Sequence, residues 1–366
     1  MRVVLISKAM TVAATHSKAE LLGQSMNMTL ITPDRWPGYV PEAIARPRNF
    51  QHRTLRVVLN GHNHFHYYRG LGALLQSLRP DLVHIDEEPY SLVTTQALRV
   101  ARRMGARAIS FTWQNIRKTY PPPFSWMERY VYRAADAIVC GNQEAVEVLR
   151  SKGFAGPTPV IPQFGVDMPA ISEFPVTSRS GGYTIAYAGR LVSEKGLDVL
   201  LQALARVLDV RLLLVGTGPE REALERLTAH LGLADRVTFL GGLPSTQMTA
   251  FFQSVDVLVL PSLTRSNWKE QFGRVLIEAM ASGAAVIGSN SGEIPSVIGD
   301  AGLVVAEGDA AALALAIERL RDDDFRNEMR RRGKERALSF TQQRIADATL
   351  DVYRQVLGQP PVPARI

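Results

Sequence analysis

The chain has a single cysteine, Cys140, in 366 residues, so no internal disulfide can form and no thiolate cluster can hold zinc. No stretch reaches the roughly 18 uninterrupted apolar residues that a membrane-crossing helix needs. The opening "MRVVLISKAM" is about one strand long and lacks the apolar core and cleavage pattern of a signal peptide. A soluble or peripheral protein in a reducing, cytoplasmic setting is expected. Internal repeats and low-complexity tracts are also missing. The composition that remains, 46% hydrophobic and 21% charged, is that of a globular protein, and the length suggests two domains with a core each.

Negative charge is scarce in the first half. Residues 1–170 hold 20 Lys and Arg against 12 Asp and Glu, a net +8, whereas residues 171–366 hold 22 against 23, a net −1. Such asymmetry fits a first half that meets something anionic, and it fits a plain solvated basic face equally well. The aromatic and basic motifs of nucleic-acid modules are absent, so no nucleic-acid partner is expected.

Short aliphatic runs recur: "RVVLIS" (2–7), "MTLIT" (28–32), "LRVVLN" (55–60), "DLVHID" (81–86), "ARAISFT" (106–112), "DAIVC" (136–140) and "TPVIP" (158–162). Amphipathic segments such as "YSLVTTQALRVARRM" and "QEAVEVLRSKG" lie between them, which reads as βαβ units around a parallel sheet. The pattern breaks at "QFGVDMPAISEFPVTSRSGG" (163–182), rich in Pro, Ser and Gly. It restarts with "YTIAYAG" (183–189), "VRLLLVG" (210–216), "RVTFLG" (236–241), "VDVLVLPS" (255–262) and "AAVIGS" (284–289). Two doubly wound parallel-sheet domains are expected: 1–165, a linker at 166–181, and 182–340. A last helix, 341–366, with Thr341 as its N-cap, is expected to pack back toward the first domain.

Open parallel sheets bind ligands beyond the carboxyl ends of their strands, so the strand-to-helix junctions carry the chemistry. After "YTIAYAG" come Arg190 and, in "LVSEKG", Lys195, two cations able to clamp a diphosphate and equally ordinary on a surface. After "VRLLLVG" comes "GTGPE" (216–220), the opening of a dinucleotide fingerprint whose sixth position is Arg221 where Gly or Ala is needed. A nicotinamide enzyme is therefore disfavoured. After "VDVLVLPS" comes "WKEQFGRVLIEAMASG" (268–283), with a helix expected to start near Gly273 and to offer an anion site at its first turn. Glu270 is placed to meet hydroxyls of whatever carries the anion, and Glu278, among apolar neighbours, needs a polar partner such as a ribose diol. The plain alternative makes Glu270 a first-turn acid favoured by the helix dipole and Glu278 a solvated helix residue.

Taken together, "AGRLVSEKGLDVLLQAL", "LVGTGPEREALE", "VTFLGGLPSTQM", "DVLVLPS" and "EQFGRVLIEAMASGAAVIGSNSGEIPSVIGDAGLVV" resemble, in order and spacing, the retaining family-4-type glycosyltransferases (glycosyl transferases group 1) of GT-B fold. The resemblance covers residues 183–305 closely and the rest by architecture. It implies two Rossmann-like doubly wound domains facing a central cleft, the second holding a nucleotide-diphosphate sugar and the first an acceptor. It assigns Arg190 and Lys195 to the donor diphosphate, with backbone at Phe272, Gly273 and Arg274. Glu270 meets the donor sugar and Glu278 the ribose. Gly189, Gly216, Gly218, Pro219 and Leu243 hold the rest of the nucleotide. A retaining transfer of hexosyl type, with no cofactor and no metal, is what the family implies.

The first half departs from the family pattern. Where many members carry Gly-Gly after the first strand, this chain has "SKAMTVAATHSK". Where many carry a His after the strand at "ARAISFT", it has "TWQNIRKTYPPP". Acceptor-side candidates are therefore Gln114, Asn115, Glu87 and, in the "HNHFH" loop, His64. Glu88 is expected to cap a helix beginning near Pro89. His62, His64 and His66 alternate in a way that invites a metal, but no Cys or carboxylate set accompanies them. The expected acceptor is a saccharide or polyprenyl-linked glycan of envelope or exopolysaccharide assembly, met at the inner face of an anionic membrane by the basic half. The competing reading is an inactive nucleotide-sugar-binding protein whose first half is an interaction module.

Overall fold

The computed structural model describes residues 1–12, 15–37, 49–168 and 182–360. Most of the expected linker and the last residues of the chain lie outside them. The chain divides into two units, Met1–Gly165 with Gln342–Ile366, and Val166–Thr341.

The first unit is built on β1 (Arg2–Ile6), β2 (Asn27–Pro33), β3 (Phe50–Leu55), a short antiparallel hairpin of β4 (Val57–Val58) and β5 (Tyr67–Tyr68), β6 (Leu82–Ile85), β7 (Arg107–Thr112) and β8 (Ala137–Cys140). Six of these form one parallel sheet in the order β3-β2-β1-β6-β7-β8. Successive residues of a strand face opposite sides. Val4, Ile6, Val83, Ile85 and Ile138 accordingly enter one apolar core, and Val3, Leu5, Leu82 and Val139 the other. The second of these cores is completed by the last helix, Gln342–Val356, through Ile345, Ala346, Leu350 and Tyr353. The Tyr353 hydroxyl bonds the buried His84 Nδ1 at 2.7 Å. Cys140 is a buried core residue whose thiol burial pushes up to about 12, which leaves it unreactive.

The second unit carries β9 (Tyr183–Ala188), β10 (Val210–Val215), β11 (Val237–Gly241), β12 (Val257–Leu260), β13 (Ala285–Ser289) and β14 (Leu303–Val305), a parallel sheet ordered β11-β10-β9-β12-β13-β14. In both units the third, second, first, fourth, fifth and sixth sheet strands lie side by side. That is the doubly wound nucleotide-binding order, with its switch point between the first and fourth strands.

Three sequence expectations are corrected. "LRVVLN" is not a sheet strand: the sheet member is the polar "FQHRTL", and Val57–Val58 turns away to pair with Tyr67–Tyr68. "TPVIP" makes one isolated bridge, Val160 to Cys140, because its two prolines cannot donate to a ladder. The helix after β6 begins at Leu92 with Ser91 as N-cap, so Glu88 caps nothing.

Candidate functional site

The switch point of the second unit lies between β9 and β12, and the loops beyond their carboxyl ends are laced together by backbone. Gly189 N–H donates to Val215 O, Leu191 N–H to Thr217 O and Leu263 N–H to Glu194 O, at 2.8–2.9 Å. This lacing depends on glycine. A Cβ on Gly216 would stand 1.8 Å from Gly189 O, so Gly216 is a close-approach position that no other residue can fill.

At the centre, Lys195 Nζ meets Glu270 Oε2 at 2.5 Å and Ser262 Oγ donates to the same oxygen at 2.9 Å. Ser289 Oγ donates in turn to Ser262 O at 2.5 Å, and Glu293 N–H to Glu270 O at 3.1 Å. Lys195 ends a single turn, Ser193–Lys195, before the helix Leu197–Leu204, with its ammonium 4.9 Å from the Trp268 ring centroid. Arg190, in the same loop, is exposed, and among the described residues its guanidinium has no hydrogen-bond or ion-pair partner. Glu270 is buried and lies four residues ahead of the helix Arg274–Ala281, which rules out the first-turn-acid alternative for it.

Gly273 caps that helix with φ 75°, a left-handed conformation suited to glycine. Phe272 turns its ring inward onto Phe340, so only its backbone can serve a ligand. Glu278 finds a polar partner within its own helix: Arg274 Nε lies 2.8 Å from its Oε1, and burial nevertheless holds the carboxyl above its ordinary value. It is neither fully solvated nor unpaired. Pro219 is exposed and Leu243 half-buried, in the loops after β10 and β11, which the Gly216 N–H to Gly241 O bond of 2.7 Å ties together.

The first unit repeats the device. Between β1 and β6, Lys8 Nζ meets Glu87 Oε2 at 2.7 Å. Beside it Ser7 Oγ and Gln163 Nε2 donate to Asp86 Oδ2 at 2.7 and 2.9 Å. Burial pushes the Glu87 carboxyl up to about 7 against the opposing pull of Lys8. His66 is fully buried against Trp36 and Tyr68, with Nε2 4.0 Å from Glu87 Oε1. Burial and then Lys8 hold this imidazole down to about 4, so near neutral pH it is uncharged and the contact is not an ion pair. His64 is exposed beside Ser91 and Tyr90, and partial desolvation with Lys8 and Lys118 nearby holds it at about 4 as well.

Glu87 and His64 are thus gathered around Lys8. Gln114 and Asn115 are buried beyond β7, and Gln114 belongs to a neighbouring group in which Lys152 Nζ reaches its Oε1 at 3.3 Å and Glu128 Oε1 at 2.6 Å. Glu88 joins that group, accepting from Thr112 Oγ1 at 2.6 Å and Trp113 N–H at 2.9 Å. Lys8, Ser7 and Trp36 escaped the sequence reading. The available signal was positional: a lysine two residues past the first strand, as a cation also follows the first strand of the second unit.

Two parallel six-stranded units with this order and these ligand-side loops are the GT-B fold of glycosyltransferases. Sucrose-phosphate synthase of Thermosynechococcus elongatus superposes with a TM-score of 0.73 at 22% identity, over 98% of this chain and 99% of that one. HepE of Anabaena, solved in complex with UDP and glucose, gives a TM-score of 0.70 at 17% identity, over 97% and 100%. Residues 171–338 match the glycosyl transferases group 1 model and residues 9–163 the glycosyl transferase 4-like domain. The lipopolysaccharide core biosynthesis glycosyltransferase LpsD of Rhizobium meliloti (strain 1021) is 32% identical over 291 residues, 77% of this chain and 80% of that protein. The chain belongs to the group 1 glycosyltransferase family.

Proposed function

We propose that the protein is a retaining glycosyltransferase moving a sugar from a nucleotide diphosphate to a saccharide or lipid-linked glycan of envelope polysaccharide. The observation that carries this reading is the bonded group of Lys195, Glu270 and Ser262 at the second switch point, in one loop set with Arg190, whose guanidinium is exposed. Arg190 and Lys195 bind the diphosphate, aided by the helix start at Gly273, where backbone N–H groups and the dipole favour an anion. Once the diphosphate takes over Lys195, the Glu270 carboxylate turns to the hydroxyls of the donor sugar. Glu278 exchanges Arg274 for the ribose diol, and Arg274 joins the phosphates. Gly189, Gly216, Gly218, Pro219 and Leu243 frame the base. Two cations and a helix end stabilise the leaving diphosphate without a metal ion.

In the first unit, Glu87 accepts the hydrogen bond of the acceptor hydroxyl, with His64, Gln114 and Asn115 as further contacts. The acceptor oxygen forms its bond to the anomeric carbon on the face that the diphosphate leaves, and its proton passes to a diphosphate oxygen. Support for the substrate class comes from the names of relatives: the Rhizobium protein is named for lipopolysaccharide core biosynthesis, and the Anabaena structure holds UDP and glucose. The basic first half fits a peripheral position on an anionic membrane. The test is a panel of UDP, GDP and ADP sugars with chelator present, read for donor hydrolysis and for the configuration of the released sugar by NMR. Saturable binding without turnover of any donor would sink the transferase reading, and an inverted product its retaining part.

A further inference from the structure

Beyond the carboxyl ends of β2 and β3 lies a groove of about 500 Å³ whose lining includes Arg35, Arg56 and Arg69, with Tyr67, Asn60 and Leu59. No acid lines it. The neighbouring Asp34 turns its Oδ1 to the Val57 N–H at 3.1 Å. Among the described residues none of the three guanidiniums has a hydrogen-bond or ion-pair partner.

Arg56 and Arg69 face each other across the hairpin. Val57 pairs with Tyr68, and the Arg69 N–H donates to Arg56 O at 3.0 Å, so the two arginines sit one step beyond that pair. Val57 and Tyr68 are buried, and the alternation of a strand puts Arg56, Val58, Tyr67 and Arg69 on the other, outward face. Like charges directly opposite on a hairpin repel and are ordinarily avoided. Here a third cation, Arg35, is added to them. Three arginines lining one groove, with no acid among its described lining residues, are the complement of an oxyanion, and the Tyr67 ring and exposed Leu59 offer the apolar surface that a sugar ring stacks on.

We propose that this groove binds the phosphate or carboxylate substituent of an anionic saccharide. Only the chain links it to the first switch point: Trp36, next to Arg35 in sequence, packs on His66, and Lys8 Nζ lies 5.5 Å from the Trp36 ring centroid. Casting the bound saccharide as the acceptor rests on the glycosyltransferase reading above; the anion site itself does not. It makes Arg35, Arg56 and Arg69 specificity determinants that favour charged over neutral acceptors.

The probes are glucose 6-phosphate, glucose and inorganic phosphate, titrated calorimetrically into the full-length protein, together with sedimentation on phosphatidylglycerol vesicles. Glucose 6-phosphate is expected to bind saturably, to be displaced by inorganic phosphate, and to lose at least tenfold in affinity in the Arg56→Gln/Arg69→Gln double variant. The melting temperature of that variant should stay level or rise, because a repulsion is removed. Glucose alone should not bind. Unchanged affinity in the double variant, or equal binding of glucose, overturns the proposal. Vesicle binding lost in the double variant, with no sugar-phosphate binding by the wild type, overturns it in favour of a lipid headgroup. Donor hydrolysis by the wild type, measured separately, reports on the transferase reading alone: its absence with sugar-phosphate binding intact would remove the acceptor role and leave the site.

Discussion

Each unit places a lysine after its first sheet strand and a glutamate after its fourth, paired across the switch point at 2.7 Å for Lys8 and Glu87 and 2.5 Å for Lys195 and Glu270. What surrounds the two pairs differs. Glu270 is braced by the Ser262 hydroxyl and by loops tied through their backbones. Glu87 lies against the uncharged His66 imidazole, itself packed on Trp36, and burial lifts its carboxyl to about 7. On the proposed function, the Lys195 and Glu270 pair is the one exchanged for a ligand's charge, whereas burial makes the Lys8 and Glu87 pair the one whose protonation responds to pH.

The hardest test of that contrast is truncation in the second unit. Lys195→Ala and Glu270→Gln should each lower transfer by about 10²- to 10³-fold, the scale for removing one group that stabilises developing charge. Circular dichroism melts run alongside separate this from unfolding, since the pair is partly buried. Activity within twofold of wild type in both variants would move the donor site elsewhere.

In the first unit the distinguishing variable is pH. The Glu87 carboxyl stands at about 7 in the folded protein against an ordinary 4.5, so between these values the folded chain keeps a proton that the unfolded chain has released. Its contribution to stability is full below about pH 4.5 and is lost as pH rises through 7. His64 and His66, held at about 4, act the other way, adding stability above their unfolded value and losing it as pH falls through 4. Glu87→Gln removes the first effect and leaves the second. Denaturant midpoints from pH 5 to 8.5 should therefore climb more with pH in the variant, by on the order of 1–3 kcal/mol across the range. Parallel curves would mean that Glu87 is ionised throughout and that the contrast between the two pairs fails.

A smaller effect checks the backbone bracing. A Cβ on Gly292, whose φ is 52°, would lie 2.0 Å from the Glu270 carbonyl oxygen. Gly292→Ala should push the Glu270 loop out of place, raising the donor KM several-fold and costing about 1–3 kcal/mol of stability. A donor KM equal to wild type would show that Glu270 is held by its side-chain partners alone.

The same difference explains what could be read without coordinates. The second unit's site is made by small residues and charges at fixed local spacing, because backbone lacing demands glycine at close approaches such as Gly216. Arg190, Lys195, Glu270 and Gly273 were accordingly visible as a pattern. Buried parallel strands were legible too, as continuous aliphatic runs. The polar edge strand β3 was not, since an edge strand facing water carries no apolar run, and β14, although apolar, is only three residues long. The first unit's pair was hidden for another reason. Lys8 and Glu87 are 79 residues apart, and their neighbours Trp36, His66 and Gln163 arrive from separate segments, so the site exists only after folding. Glu88 was misread because adjacency to a helix suggested a cap, whereas the chain turns at Ser91 and sends that carboxylate to Thr112 and Trp113.

The smallest effect concerns Arg274 and Glu278, and it separates holding from structure. They are an i,i+4 pair 2.8 Å apart with the arginine side chain 52% exposed, so in the absence of ligand their attraction is screened. Arg274→Ala should change stability by less than about 0.5 kcal/mol. If Glu278 exchanges this arginine for a ribose diol, Glu278→Gln should weaken a nucleoside diphosphate about tenfold while a 2′,3′-dideoxy analogue binds both forms alike. A purely structural pair predicts the reverse: equal loss for both nucleotides, in step with a falling melting temperature. Titrating the two nucleotides into both variants therefore decides whether the second of the two glutamates serves the ligand or the helix.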